Sequence, residues 1–491
     1  QQLGLLLSYA RQAPHSVIKN RATAFDRMML EGAVLGLSMT HAADVLVTDS
    51  AASGTQLAAG TLAGSEMIGG NKKGNPAVTL LERAEVSGKA TGLISNTRLT
   101  HATPAAFAAH QPHRSMENAI AVDMLLHSGT DVMLSGGLRH WIPKEANDAT
   151  SAVHNELVQL TDGAVKIRSK RKDSRNLLVE AEQKGYALAF NRAQLKKADG
   201  KVLGLFASSE MDNGIKVTRT QDDPDRTMPD LKEMTVKGIE LLSKNEKGFF
   251  LMIEAGQIDW AAHRNDTGTM LHELLKLNET VEYVLDWIAD RDDTLVIVTA
   301  DHETGGFGFS YSANDLPEPA QLPGTLFRGR AFQPSLNFGN PEVLDKLYQQ
   351  KLSYGEIFGQ FDKLSQKEQT PANLAELINQ NTEFRITEAQ AARILETEEN
   401  PYYVKGHKKL GLKTVPKIDV NQAFFVPNKN KARQNLLAIE VATQQQVVWA
   451  TGTHTATPVP VFAQGPRKAA FSRIMHHTQL SRYALDALLA E

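Results

Sequence analysis

The stretch Val45-Leu46-Val47-Thr48-Asp49-Ser50-Ala51-Ala52-Ser53-Gly54-Thr55-Gln56-Leu57-Ala58-Ala59-Gly60 passes from an apolar, β-branched run through small polar residues into a helix-forming segment. β-branched side chains favour a pleated strand and the small residues favour a turn, so the spacing predicts one strand, turn and helix unit. Short apolar runs recur at residues 91–96, 131–134, 203–206, 249–253 and 294–299, the last the most strongly strand-like. Helical patterns fall between them, notably at 118–128 and 231–242. Apolar runs without polar alternation are the mark of strands covered on both faces. Their alternation with helices predicts an α/β fold whose central, mostly parallel sheet carries helices on both faces.

Beyond His302 the character changes. Residues 315–325 are rich in proline, and 341–396 carry helical patterns, one opened by Thr370-Pro371 and another by a capping box of Thr387 with Gln390. Residues 304–450 therefore read as an inserted, partly helical subdomain. Residues 1–303 form the first part of the core and 451–491 its return, with the chain rejoining the main sheet near 446–450.

A chain of 491 residues, 42% of them hydrophobic, can bury a large core. Fifty-three basic against 56 acidic residues leave a formal charge of -3, with no Lys/Arg block of the kind that tracks a nucleic-acid backbone, so no nucleic-acid partner is expected. The apolar stretches at 33–37 and around Leu93 fall far short of the ~20 residues that span a bilayer, so no membrane span is expected. The chain opens Gln1-Gln2-Leu3 without the charged and apolar regions of a signal peptide. With no cysteine, disulfides and thiolate ligands are excluded, and any metal falls to His, Asp, Glu or hydroxyl oxygen.

Four stretches carry the chemistry, each after a strand or at a helix start, where open α/β sheets bind ligands. Ser50 stands at a helix start, where unpaired N–H groups and the helix dipole favour an alkoxide or phosphate; a helix-capping serine would look the same. In Glu254-Ala255-Gly256-Gln257-Ile258-Asp259-Trp260-Ala261-Ala262-His263, Asp259 and His263 lie four apart and share a helix face that could grip one cation or form a surface ion pair. Asp301-His302 ends the apolar run at 294–299 and precedes two glycines, either as a turn or as ligands. His454, before the run at 459–463, counts only as a third ligand to a site already begun. Together they offer Asp259, His263 and His454 for one zinc and Asp301 with His302 for a second, while Glu254 and Thr103 are hard oxygen donors suited to magnesium. Paired cations suit in-line phosphoryl transfer.

The segments DSAAS, THATPAAFAAHQPHR, EAGQIDWAAH, TADHETGG and GTHTATPVPVFAQGP, in that order, resemble the alkaline phosphatase family. The resemblance runs over most of residues 1–303 and again from about residue 446. It implies hydrolysis of phosphate monoesters through a phosphoserine at Ser50, with Arg114 clamping two phosphate oxygens, two zinc ions on the ligands just given, and one magnesium ion on Thr103 and Glu254. It also implies a homodimer in the periplasm or outside the cell. Related superfamilies use the same ligands on diesters and sulfates, but Arg114 favours a phosphate with free oxygens, hence a monoester. His101 and Trp260 stand where some members have aspartate and lysine, positions that tune metal occupancy and phosphate affinity in the family, and neither is given a sharper role from the resemblance. Family members begin with a strand ending in a Gly-Asp-Gly turn whose aspartate bridges two metals. The opening QQLGLLLSYARQ resembles the helix after that turn, and no Asp precedes Asp26. This leaves open a sequence lacking its first strand or a lost ligand with a weak magnesium site.

Overall fold

The computed structural model describes residues 1–490, which group into two compact units. The larger comprises Ala22–Ile258, Leu275–Glu303 and the chain from His454 on. Its heart is a five-stranded sheet in the order Tyr186–Ala189, Lys201–Leu205, Val132–Gly136, Ala90–Arg98, Phe249–Glu254, with every pairing parallel. Side chains alternate across a strand, and here both faces are apolar. Leu93, Met133 and Leu203 pack into one core with residues such as Leu81, Phe107, Ile120 and Leu177 from the helices on that side. Their neighbours Ile94, Val132, Leu134 and Val202 pack into a second core with Leu195, Leu231, Met234 and Leu242. This is why these strands read as unbroken apolar runs, and it gives the doubly covered parallel sheet that the sequence predicts.

The same unit holds a four-stranded sheet in the order Ile474–His476, Val34–Met39, Val459–Gln464, Val296–Val298. Val34–Met39 is antiparallel to Val459–Gln464 and parallel to Ile474–His476, and Val459–Gln464 is antiparallel to Val296–Val298.

Two sequence expectations are corrected here. Val45-Leu46-Val47 is not a strand: it finds no partner strand, the three side chains are 40%, 85% and 42% exposed, and the strand that leads into Ser50 is Val34–Met39, eleven residues upstream. β-branched residues make a strand only where a neighbour takes up their backbone groups. Nor does the chain return to the main sheet at 446–450. Val447–Val448 pairs with Gly308–Phe309, and the chain rejoins the larger unit through Val459–Gln464 in the four-stranded sheet.

The smaller unit comprises Gln1–Arg21, Asp259–Leu274 and Thr304–Thr453. Gln2–Gln12 is a helix, and further helices are Glu342–Tyr348, Tyr354–Phe361, Pro371–Asn381, Glu388–Leu395 and Lys429–Gln445. Thr370 caps the third of these with proline at the first turn, and Thr387 with Gln390 forms the capping box read from the sequence. The buried carboxylate of Asp266 ties segments of this unit together, accepting from Thr269, from Gln350 Nε2 at 2.9 Å and from the Tyr354 N–H at 2.6 Å. No helix among the described residues is long and apolar enough to cross a membrane.

Candidate active site

The mixed sheet explains why residues far apart in sequence meet. Val34–Met39 and Val296–Val298 both run antiparallel to Val459–Gln464, with Ser38 opposite Val459 and Val298 opposite Phe462. The exits of the first two strands therefore lie beside the entrance of the third. The first exit leads to Ser50, the second to Asp301 and His302, and the entrance is preceded by His454. The imidazoles of His302 and His454 stack with centroids 3.5 Å apart.

Ser50 is the first residue of the helix Ser50–Ala59 and is buried, and its cap is Asp49, whose extended backbone lies outside the helix. The Asp49 carboxylate accepts from the N–H groups of Ala51 and Glu66 at 2.9 and 2.7 Å and from Arg114 Nη1 at 3.0 Å. Burial pushes this carboxyl up, but the Glu66 N–H and the Arg114 charge outweigh it and hold Asp49 below the usual carboxylate range. The second guanidinium nitrogen, Nη2, donates to His101 Nε2 at 3.2 Å. A guanidinium only donates, so His101 Nε2 accepts, and Arg114 is steadied from two sides.

Ser50 Oγ lies 3.0 Å from His302 Nε2, and Asp301 Oδ2 lies 3.1 Å from the same nitrogen. Asp301 also accepts from the His302 N–H at 3.1 Å and from Ser53 Oγ at 3.4 Å. His454 Nδ1 is 2.8 Å from the Thr48 carbonyl. A carbonyl only accepts, so Nδ1 carries the proton, and in the neutral ring Nε2 is left as a lone-pair donor.

Glu254 ends the edge strand of the parallel sheet, in register with Ser95 on the neighbouring strand. Its carboxylate accepts from the hydroxyls of Ser95, Thr97 and Thr103. Thr103 comes from the helix Ala102–Ala108, which packs against the Ser50 helix so closely that a Cβ on Gly54 would lie 3.2 Å from Ala106 Cβ. Burial raises the Glu254 pKa, the hydroxyls oppose the shift and the Asp301 charge adds to it. A hard cation would relieve that arrangement, so the donor set fits magnesium.

In the smaller unit, Asp259 and His263 stand one turn apart on the helix Gln257–His263. His263 Nδ1 is 2.8 Å from the Gly452 carbonyl and so carries the proton. Its Nε2 faces Asp259 Oδ2 at 3.5 Å, and Asp259 Oδ1 accepts from the Thr304 hydroxyl at 2.6 Å. Metal-binding histidines characteristically donate their other ring N–H to a backbone carbonyl, as His263 and His454 both do. The residues present fit a zinc-type cation.

Of the residues picked out from sequence, the larger unit brings together Ser50, Asp301, His302 and His454, places Arg114 against the cap of the Ser50 helix, and sets Glu254 against Thr103. Sequence reading missed the second layer: Asp49 as the arginine's anchor, Ser95 and Thr97 on Glu254, and His477 on the Asp301 carbonyl. Only Asp49, beside the serine, carried a signal, as an acidic residue at a helix start.

Imidazole and carboxylate donors gathered beside a helix-start hydroxyl and an anchored arginine are how proteins transfer phosphoryl groups, and they place this chain among the metal-dependent phosphate-ester hydrolases. The family model "Alkaline phosphatase" matches residues 5–489. The chain belongs to the alkaline phosphatase family, and it is a phosphoric monoester hydrolase. It is 30% identical over 461 residues to alkaline phosphatase 4 of Bacillus subtilis (strain 168), covering 93% of this chain and 79% of the relative. It is 29% identical over 475 residues to the repressible alkaline phosphatase of Saccharomyces cerevisiae, covering 92% and 73%. Among solved structures, the cold-active alkaline phosphatase of a psychrophilic Shewanella superposes with TM-score 0.67 at 25% identity, covering 100% of this chain and 96% of that one. The Thermus thermophilus alkaline phosphatase gives TM-score 0.72 at 23% identity, covering 99% and 88%, a likeness of fold.

Proposed function

We propose that this protein cleaves phosphate monoesters to an alcohol and inorganic phosphate in two displacements at phosphorus, with Ser50 phosphorylated in between. In the first, Ser50 Oγ forms a bond to phosphorus as the bond to the ester oxygen breaks and the alcohol leaves. In the second, water attacks the phosphoserine, releasing phosphate and restoring the hydroxyl. The helix start favours negative charge at Oγ. Arg114, held by Asp49 and His101, presents its fork to two non-bridging oxygens and so orients the phosphoryl group for in-line attack. That preference for a group with free oxygens selects monoesters.

Asp259, His263 and His454 are assigned to one zinc ion, Asp301 and His302 to a second, and Glu254 and Thr103 to magnesium. The resemblance supports the assignment, as do the tautomers of His263 and His454 and the hydroxyl cage around Glu254. When bound, such cations lower the pKa of an attacking hydroxyl and neutralise charge on the leaving oxygen. A structure of a variant of the TAB5 alkaline phosphatase has magnesium bound, in line with that cofactor here. A homodimer in the periplasm or outside the cell is the family's common state and is proposed for this chain.

One observation carries the reading: Ser50 Oγ and Asp301 Oδ2 both lie within about one hydrogen-bond length of His302 Nε2. The test is p-nitrophenyl phosphate hydrolysis by wild type and Ser50→Ala after zinc and magnesium loading, with metal content and Ser50 phosphorylation read by mass spectrometry. Wild type should turn over and show a phosphorylated Ser50 peptide. The variant should keep its metal, show no phosphopeptide and lose most of the activity. A variant as fast as wild type overturns the mechanism, and a clear preference for bis-p-nitrophenyl phosphate overturns the choice of monoesters.

A further inference from the structure

We propose that His477 is a positioning residue that fixes the Asp301-His302 pair through a hydrogen bond to the Asp301 carbonyl. The proposal rests on the reading of Asp301 and His302 as zinc ligands.

His477 is the first residue of the helix His477–Leu488, which His476 caps, and its side chain is fully buried. Nε2 is 2.8 Å from the Asp301 carbonyl oxygen, and Nδ1 is 2.8 Å from Ser38 Oγ. The first contact fixes the tautomer: a carbonyl only accepts, so Nε2 carries the proton and donates. In a neutral ring Nδ1 must then accept, and Ser38 supplies its hydroxyl proton. Its role is geometric: the ring ties the Ser38 hydroxyl to the Asp301 carbonyl.

The two ends of this link differ in rigidity. Ser38 is an inner-strand residue, buried and paired with Val459 on one side and Met475 on the other. Asp301 lies beyond the end of the strand Val296–Val298, where sheet pairing no longer holds the backbone. A planar imidazole hydrogen-bonded at both ends transfers the position of the sheet to that carbonyl. The carbonyl belongs to the residue whose carboxylate meets His302 Nε2, and His302 is the next residue in the chain. An inert core histidine would also be satisfied at both nitrogens, but it would have no reason to hold the one peptide that carries both proposed ligands.

The experiment compares wild type, His477→Gln, His477→Ala and Ser38→Ala, each loaded with zinc. Zinc release to a chromogenic chelator is followed alongside kcat, KM and thermal unfolding of the metal-free forms. Partners that orient metal ligands typically change affinity or activity by about 10- to 100-fold when removed. His477→Ala should release zinc faster by a factor in that range, with kcat lowered more than KM is raised. His477→Gln keeps an amide N–H that can reach the Asp301 carbonyl and should restore most of both. A merely structural histidine would lower the unfolding temperature in both variants without separating their zinc release. If His477→Ala releases zinc at the wild-type rate, or His477→Gln is as impaired as His477→Ala, the proposal is overturned. Should His477→Ala fail to fold, Ser38→Ala decides: faster zinc release supports the link and a wild-type rate overturns it. Wild-type protein that binds no zinc refutes the reading of the ligands themselves, and the positioning role falls with it.

Discussion

At the residue scale the site depends on which atoms can donate. Arg114 uses one nitrogen on Asp49 and another on His101, so its plane is set before any phosphate arrives. A lysine could supply the charge but neither the fork nor both anchors. Hydrogen bonds to charged groups contribute about 1.5–3 kcal/mol each, so Arg114→Lys should lower kcat/KM for an aryl phosphate by about 10- to 100-fold and weaken inhibition by inorganic phosphate in step. Steady-state kinetics and phosphate inhibition constants check this, and unchanged values for both would remove Arg114 from the phosphate site. Asp49 is what makes the anchoring robust. Its pKa is held below the usual value of 3.8, so the carboxylate is fully charged above that value and the contact is lost only as the pH falls through the lower native one. The chain order Asp49-Ser50 was plain in the sequence. That Asp49 would reach Arg114, 65 residues on, was not, because a helix cap and an arginine anchor look alike until the fold brings the arginine.

At the scale of elements, the segment from the strand Ala90–Arg98 to the helix Ala102–Ala108 shows how the sheet delivers side chains. Arg98 pairs with Glu117 at 2.8 Å, and Glu117 also accepts from Thr100 at 2.8 Å, which pins the turn leading to His101 and Thr103. Burial pushes Glu117 up, but the Arg98 charge and hydrogen bond dominate and bring it down to about 2. His140 Nε2 lies 3.3 Å away, but burial pushes its pKa down to about 4, so Arg98 is the main charge that Glu117 meets. A carboxylate lowered from 4.5 to about 2 stabilises the fold by up to about 3 kcal/mol at neutral pH, fully above pH 4.5 and not at all below about 2. Glu117→Gln should therefore be less stable than wild type by up to that amount at pH 7, and the gap should close between pH 4.5 and 2. Denaturant unfolding of both proteins across that range measures it, and a gap independent of pH would mean the ion pair is not its source. The parallel strands themselves were legible because a strand buried on both faces has nothing but apolar residues to show. The mixed sheet was legible only in part: the run 294–299, which contains Val296–Val298, was the most strongly strand-like, whereas Val34–Met39 alternates burial and the exposed run at Val45–Val47 looked more strand-like than it did.

At the scale of the molecule, Asp259 and His263 belong to the smaller compact unit, and His454, Asp301, His302, Glu254 and Thr103 to the larger. The motifs that hold them were readable as short fixed spacings, whereas the segments of each unit were not, since Gln1–Arg21 and Asp259–Leu274 group with Thr304–Thr453 only through contacts distant in sequence. A ligand that binds the native state and not the unfolded chain stabilises the fold by mass action, about 2.7 kcal/mol for one site at a free concentration 100 times its Kd. Two independent zinc sites should thus add about 5 kcal/mol over protein held in excess chelator. Asp301→Ala should lose the second site's share and His454→Ala the first's, each variant keeping about 2.7 kcal/mol and binding one zinc fewer per chain. Urea unfolding in chelator and in buffered zinc, with zinc content measured on the same samples, separates the two sites without reference to activity. Two variants that each keep the full increment would show that the metals are held elsewhere. One variant that loses the whole increment would show instead that the two ions bind as a single cooperative unit, in which case Asp301 and His454 act on the same step of assembly.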